Sequence, residues 1–516
     1  MSTRGQVLRN TLFSSVGIYT EYFLGMLTSI IIARHLGPSD FGAYSLVIWL
    51  VATGVAVTNS GVASAVIKFV AELRGAGRHA QIRSLLAWAW HVQAGFLAVV
   101  VVVGGVLFVL YGEHVMPGFN HTALLAILVL TTILRSLYMF NIGVAKGYES
   151  FSTTAAIAVI VTPLNLLLVL LAWWLGGPME WFLGAYTVSS FLFWWISRRR
   201  IAPLLPPAQP REPLDEDLRR RLRSYTALVA VTVAISFITA SEVEVLFLTL
   251  FDSSASAGQF KVAYQLSTGA LLLVPGVFGA LLLPMMANAL SQGREIAGRR
   301  LAMSTTYLAA LAAPLVAFGV VFSEQIIGLL YGQAFAPAAT VFAFCLGAGA
   351  VAVVSQGASG YLLGADRQRA LMTVVLLCSG VKVALDIVLI RAYGLAGAVA
   401  AFSVTTVLVS VLTIGLALRY SGARLEWSRM LRVLLAAGLG AVGGWAVRDH
   451  LPTLPALVVG GAVLSLLFAA GTLLLGFWTA GDLRHFRELH GRYARGRPLL
   501  LDRLLGWAER RAGASA

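Results

Sequence analysis

The chain has 516 residues, 58% of them hydrophobic and 12% charged, with a mean hydropathy of +0.82. That balance excludes a soluble globular protein, because apolar runs long enough to cross a hydrocarbon core about 30 Å thick recur from end to end. A formal net charge of +15 raises the question of a nucleic-acid partner, and the distribution of that charge along the chain decides it.

In chain order, 14 candidate membrane-spanning helices are read at residues 11–33, 41–62, 85–111, 122–145, 153–175, 180–197, 225–250, 260–288, 301–322, 338–363, 370–391, 396–418, 431–447 and 455–478. The start lacks a short apolar region followed by a small-residue cleavage site, so 11–33 is read as a retained first helix. An even count puts both termini on one side. With that side cytoplasmic, the inner segments hold Arg74, Arg78 and Arg83, Arg198 to Arg200, Arg219 to Arg223, Arg294, Arg299 and Arg300, Arg367 and Arg369, and Arg424 to Arg432. Eight more arginines lie between Arg484 and Arg511. The outer segments hold only Arg34, Lys261, Arg391 and Arg448. The positive-inside rule therefore predicts a multi-pass protein of the cytoplasmic membrane with both termini inside. The excess charge then faces the anionic inner leaflet, and no nucleic-acid partner is expected.

Residues 201–224 are rich in proline (Pro203, Pro206, Pro207, Pro210, Pro213) and then densely charged, and read as a cytoplasmic linker. They would separate an N-lobe at 1–200, helices 1–6, from a C-lobe at 225–420, helices 7–12. Residues 421–480 then carry helices 13 and 14. From 481 to 516 the chain is basic with interleaved Leu483, Phe486, Leu489, Tyr493, Leu500, Leu504, Leu505 and Trp507. This is read as an amphipathic tail lying on the cytoplasmic surface, with a regulatory or partner-binding role as the alternative. Cys345 and Cys378 sit inside apolar runs and give no disulfide framework.

The chain repeats itself. Arg34-His35-Leu36-Gly37-Pro38-Ser39-Asp40-Phe41-Gly42-Ala43-Tyr44 links the first two spans, with Ser39 or Asp40 placed to cap a helix starting at Phe41. A degenerate copy, Phe251 to Phe260, matches Gly42 with Gly258 and Tyr44 with Phe260. Leu110-Tyr111-Gly112 recurs as Leu330-Tyr331-Gly332, Gly143 to Gly147 as Gly360 to Gly364, and Gly184-Ala185 as Gly397-Ala398. The offsets of 216, 220, 217 and 213 agree in order and topology. Two six-helix lobes of the same orientation are thus related by a pseudo-two-fold along the membrane normal, followed by two further helices.

Ionisable side chains in mid-membrane are costly and rarely face lipid, so each is a candidate site. They are Glu21 on helix 1, Arg135 on helix 4, Glu242 and Glu244 on helix 7, and Lys382 with Asp386 on helix 11. Lys382 and Asp386, four apart, share a helical face and can neutralise each other as a purely structural pair. Arg135 has no acid in its own helix, so its compensation must come from Glu21, Glu242, water or an anionic ligand. Glu242 and Glu244 lie roughly 200° apart on a helix and cannot both point into one cavity. Glu21 and Glu242, on repeat-equivalent helices, are expected to face each other. Glu21, Glu242, Glu244 and Asp386 are the candidate ion-coupling group, with H⁺ or Na⁺ as the ion and no cofactor expected. Asn165 aligns with Lys382 across the repeat. Lys68, one turn before Glu72, is placed to meet a headgroup at the cytoplasmic side or to snorkel at the interface. No phosphate-cradling Gly-x-x-x-x-Gly-Lys loop and no metal-ligand spacing is present, so nucleotide hydrolysis is not expected.

The stretch Arg34 to Tyr44 resembles the first hairpin, R-x-L-G-P-x-D-[FY]-G-x-[YF], of the polysaccharide-transporter family. These are the Wzx-like flippases of the multidrug/oligosaccharidyl-lipid/polysaccharide exporter superfamily. The resemblance extends over the 12 core helices, the Leu-Tyr-Gly repeats and the two extra helices. It departs at helix 7, where family members often carry Asp followed by Gly-x-Tyr and this chain has Glu242, Glu244 and Phe260. It implies a transporter, not an enzyme, that flips a polyprenyl-pyrophosphate-linked oligosaccharide to the outer leaflet by alternating access. Arg135 and Lys382 are then the candidates for the pyrophosphate, and Tyr138, Asn141 and Gln356 for sugars. A monomer working among membrane lipids is expected, with a polysaccharide polymerase and glycosyltransferases as candidate partners. A peptidoglycan-precursor flippase, a cation-coupled multidrug antiporter and a non-transporting scaffold are the competing readings.

Overall fold

The computed structural model describes residues 4–59, 61–205, 212–240, 242–272, 274, 276–479 and 481–484, with side chains for all of these except 4–16, 18, 232, 234–240 and 276–281. The tail helices expected beyond Arg484 and the linker prolines Pro206, Pro207 and Pro210 lie outside the described residues. Among the described residues there is no strand. The helices are α1 (Arg4–Asn59), α2 (Val62–Gly75), α3 (His79–Val115), α4 (His121–Gly147), α5 (Phe151–Trp174), α6 (Met179–Ile201), α7 (Glu216–Ala240), α8 (Val243–Phe251), α9 (Ser254–Leu272), α10 (Gly276–Gln292), α11 (Arg294–Val321), α12 (Ser323–Tyr331), α13 (Ala338–Gly364), α14 (Gln368–Leu385), α15 (Arg391–Ser421), α16 (Trp427–Arg448) and α17 (Thr453–Leu474). A π-helical turn, Asp386–Ile390, joins α14 to α15.

Nine described helical stretches are apolar and long enough to cross a bilayer. Two of them, Tyr19–Asn59 with 41 residues and Gln368–Ser421 with 54, would run to about 60 and 80 Å if straight, far beyond one crossing. Each is interrupted by a non-helical glycine: Gly37 at φ 74°, ψ 177°, and Gly394 at φ 54°, ψ −129°. Only Gly37 leaves helical geometry at the first hairpin, so the second arm starts at Pro38, whose missing N–H is harmless in a first turn. Ser39 and Asp40 therefore fall inside that turn and do not cap a start at Phe41.

Helix 7 also differs from the expected continuous span 225–250. It stops at Ala240 and restarts at Val243, with Glu242 between them at φ 21°, ψ 38°. A non-glycine residue at positive φ is uncommon and marks a special position.

Packing divides the chain into two compact units: residues 1–262 with 382–398, and residues 263–381 with 399–516. Packing thus groups the second hairpin, Phe251 to Phe260, with the first six helices. In the first unit, α1 lies along α5 and α4, while α4 packs between α2 and α6. Gly143 and Gly147 let α4 approach Ala63, Val66 and Val70 of α2. In the second unit, the repeat-equivalent Gly360 and Gly364 of α13 meet Leu282, Ala287 and Leu290 of α10. The same small-residue device occurs in both copies, as the sequence offsets require. Cys345 and Cys378 are buried in the second unit and are not disulfide-bonded.

Candidate functional site

Three polar rungs tie α4 to α6 in the first unit. Thr131 and Thr187 hydroxyls are 2.7 Å apart, Arg135 Nε donates to Ser190 Oγ at 3.0 Å, and Asn141 Nδ2 donates to Ser197 Oγ at 2.8 Å. The Arg135 guanidinium also stands over the rings of Tyr186 and Phe193, each 4.6 Å to the ring centroid. Tyr138, nearly buried, packs on Phe193 with centroids 4.8 Å apart. Glu21 is exposed, and both it and Arg135 lie within electrostatic range of the Tyr138 hydroxyl.

Among the described residues, no carboxylate oxygen lies within 4.0 Å of the Arg135 guanidinium. Of the four expected compensators, neither Glu21 nor Glu242 makes an ion pair with it; rings and a hydroxyl stand there, which leaves room for water or an anionic ligand. A central arginine costs about 3 kcal/mol on insertion scales. Two cation–π contacts at about 1 kcal/mol each and one charge-assisted hydrogen bond at about 1.5–3 kcal/mol are of the same size. They can offset the cost of holding Arg135 there without cancelling its charge.

A second cluster lies in the same unit with the opposite character. Lys382 Nζ is 2.5 Å from Glu244 Oε1 and donates to Asp386 Oδ2 at 3.1 Å. Their side chains are 6%, 1% and 0% exposed. The helical spacing anticipated the Lys382–Asp386 contact; Glu244, from the restarted α8, makes it a triad. One ammonium faces two carboxylates, and Asp386 Oδ1 is buried without a partner. Asp386 opens the π-helical turn, a distortion often found at functional sites.

Glu242 points elsewhere because it stands in the break and not on a helix: it pairs with Lys261 of α9, and Tyr22 lies within its electrostatic range. Reading Lys261 only as an outer-loop charge hid this partner. Ser190, Tyr186 and Phe193 were likewise missed, although Ser189-Ser190 is a polar interruption in an apolar span. Lys68 is exposed on α2, its ammonium 4.3 Å from the Tyr225 ring centroid and 5.1 Å from that of Phe69. Beside it Arg221 makes two hydrogen bonds to Glu72, at 2.9 and 3.0 Å. Gln356 is half-buried on α13 in the second unit. An apolar cavity of about 660 Å³ lies among α1, α3, α4 and α8, lined by residues including Leu46, Leu50, Val103, Leu107, Leu128 and Leu246.

The model of a family described as polysaccharide biosynthesis protein matches residues 7–290, more than half of the chain. The chain belongs to this family. No curated protein is significantly similar to it in sequence. Among solved structures, this family member is similar to the lipid II flippase MurJ in an inward closed conformation, with 11% identity, a TM-score of 0.71, and coverage of 90% of this chain and 98% of MurJ. It is also similar to an inward-facing multidrug resistance MATE family transporter of the MOP superfamily, with 11% identity, a TM-score of 0.63, and coverage of 80% and 98%. At these identities the likeness is one of fold: this member of the polysaccharide biosynthesis family shares the all-α, multi-pass architecture of those two structures. Arg135, Tyr138, Asn141, Glu242 and Glu244 fall within the matched residues 7–290; Gln356, Lys382 and Asp386 lie beyond them.

Proposed function

We propose that the protein flips a lipid-linked oligosaccharide, carried on polyprenyl pyrophosphate, from the inner to the outer leaflet of the cytoplasmic membrane by alternating access, for cell-surface polysaccharide synthesis. The observation that carries this reading is the caged, carboxylate-free Arg135 on a membrane span. A guanidinium that keeps its charge suits a pyrophosphate, which offers oxygens for paired N–H donation. Tyr138 and Asn141, on the same helix, are assigned to sugar hydroxyls, together with Gln356 of the second unit. Lys68 is assigned to headgroup capture at the cytoplasmic side.

Lys382, enclosed by Glu244 and Asp386, suits ion coupling better than pyrophosphate binding. With all three groups ionised the triad carries one excess negative charge, which a proton or Na⁺ would neutralise. Glu21 and Glu242 are assigned to the same coupling role. The protein acts as a monomeric, non-catalytic carrier, with polymerase and glycosyltransferases as its partners.

Cells lacking the protein should accumulate the lipid-linked glycan on the inner leaflet. Arg135→Ala should reproduce that accumulation, with export down about 100-fold, the equivalent of losing ~3 kcal/mol of charge-assisted bonding. Arg135→Lys should recover part of it. Unchanged export by Arg135→Ala at normal abundance would remove the basis of this reading. A second reading, a peptidoglycan-precursor flippase, is favoured by the likeness to MurJ over 90% of the chain. It uses the same cation chemistry, and the identity of the accumulating glycan separates the two. Drug efflux persisting without glycan export would point instead to the antiporter.

A further inference from the structure

The two hairpins equated by the sequence repeat are in direct contact within the first unit. A Cβ placed on Gly42 would overlap the carbonyl oxygen of Ser254. One placed on Gly258 would overlap the carbonyl oxygen of Pro38 and stand 3.0 Å from the Gly42 nitrogen. Under the repeat offset of 216, Gly42 corresponds to Gly258 and Pro38 to Ser254. The contact is therefore reciprocal: each glycine faces the carbonyl of the residue four positions before its counterpart, as at a two-fold interface. Only glycine lets two backbones approach so closely.

The surroundings hold this contact in register. Gly37 turns the first hairpin with a left-handed φ of 74°. Asp252, at the head of the second hairpin, accepts a hydrogen bond from Leu395 N at 3.0 Å, and its Oδ2 would lie 2.5 Å from a Cβ on Gly394. Phe41 and Phe260 are fully buried beside the two glycines.

We propose that the Gly42–Gly258 crossing is the latch of the conformational cycle: closed here, it seals the hairpin end of the first unit and must part for that end to open. The inference rests on the transport reading above. Its physical ground is the range of the forces. A gap of about 0.5–1 Å already forfeits roughly a quarter to a half of each contact, so the crossing holds the arms only while they are closed. At the glycines themselves it parts no ion pair, so opening strands no charge. A methyl group on either glycine would hold the arms apart, and one on both would do so from each side.

The test places spin labels on Ser39→Cys and Ala255→Cys, positions equivalent under the repeat, in a background with Cys345→Ala and Cys378→Ala. The short inter-label distance should dominate with Gly42 and Gly258 present. In Gly42→Ala/Gly258→Ala its population should fall about tenfold, as overpacking of a tight contact by the two added methyls predicts. Gly25→Ala, where an added Cβ meets nothing within 4 Å, should leave it unchanged. An unaltered distribution in the folded double variant overturns the latch. If that variant does not fold, the same cysteine pair tethered by a short bis-maleimide decides: glycan export should stop, and continued export overturns the proposal. The distance measurement needs no cargo. A distribution that responds to the alanines while Arg135→Ala exports normally would therefore uphold the latch and sink only the substrate reading.

Discussion

Arg135 and Lys382 are both cations on membrane spans of one compact unit, and the fold treats them in opposite ways. Arg135 is held by two aromatic rings and a serine hydroxyl with no carboxylate at its guanidinium. Lys382 is buried and held by two carboxylates. Rings and hydroxyls stabilise a charge without cancelling it, whereas two acids more than cancel it. The first arrangement leaves a positive charge for an incoming anion; the second leaves a negative charge for an incoming cation. The difference teaches that one fold can hold a cation on a membrane span in two opposite ways; under the function proposed above, the two clusters would answer to different ligands.

The largest expected effect breaks the second cluster. Lys382→Met strands two buried carboxylates, and removing one partner of a buried pair costs about 3–5 kcal/mol. Thermal unfolding in detergent should show a large loss, much of it restored by adding Glu244→Gln and Asp386→Asn. A Lys382→Met protein that melts like wild type would mean that the triad is not the charge cluster described.

Next, Arg135→Ala should change unfolding stability by no more than about 1 kcal/mol, since the removed charge and its ring contacts offset one another. Its effect belongs in transport. If both variants lose stability alike, the contrast between the clusters fails. Ser190→Ala is smaller still. Arg135 keeps its rings, so export should fall about fivefold, the equivalent of ~1 kcal/mol for one hydrogen bond, with unfolding nearly unchanged.

The smallest effect comes from a reference charge outside the spans. Burial pushes the Asp482 carboxyl up, but hydrogen bonds from Tyr307 and Thr479 and the charge of Arg429 outweigh it and hold the group below its usual value. A depressed carboxylate contributes stability above its unfolded pKa, near 3.9, and loses it as pH falls through the lower folded value. Asp482→Asn should therefore lower the melting temperature slightly at pH 7 and flatten its decline below about pH 4. An unchanged acid limb would show that these bonds contribute nothing.

How far the sites were legible follows from the reach of each interaction. The Lys382–Asp386 contact needed only helical spacing, and the structure has it at 3.1 Å. The separate destinations of Glu242 and Glu244 were expected from a helical angle, but they come from the break that takes Glu242 off the helix. The break at Glu242 did not follow, because the stretch is apolar and helix-compatible on both sides. Without that break, the arrival of Glu244 at Lys382 could not be read. Arg135 stood out as a charge, but its cage comes from α6, more than fifty residues away.

Sequence by itself determined what is local or periodic. It specified the apolar spans, because crossing the bilayer demands length and hydrophobicity, and the internal repeat, because offsets survive in the order of residues. It also specified the hairpins, because glycine and proline constrain their own backbones. Only tertiary structure decided that the two repeated hairpins touch through Gly42 and Gly258, that Lys261 belongs to Glu242, and that one cation is caged while the other is outnumbered. Those are contacts between segments remote in the chain, set by the packing of helices on one another, and no local pattern carries that information.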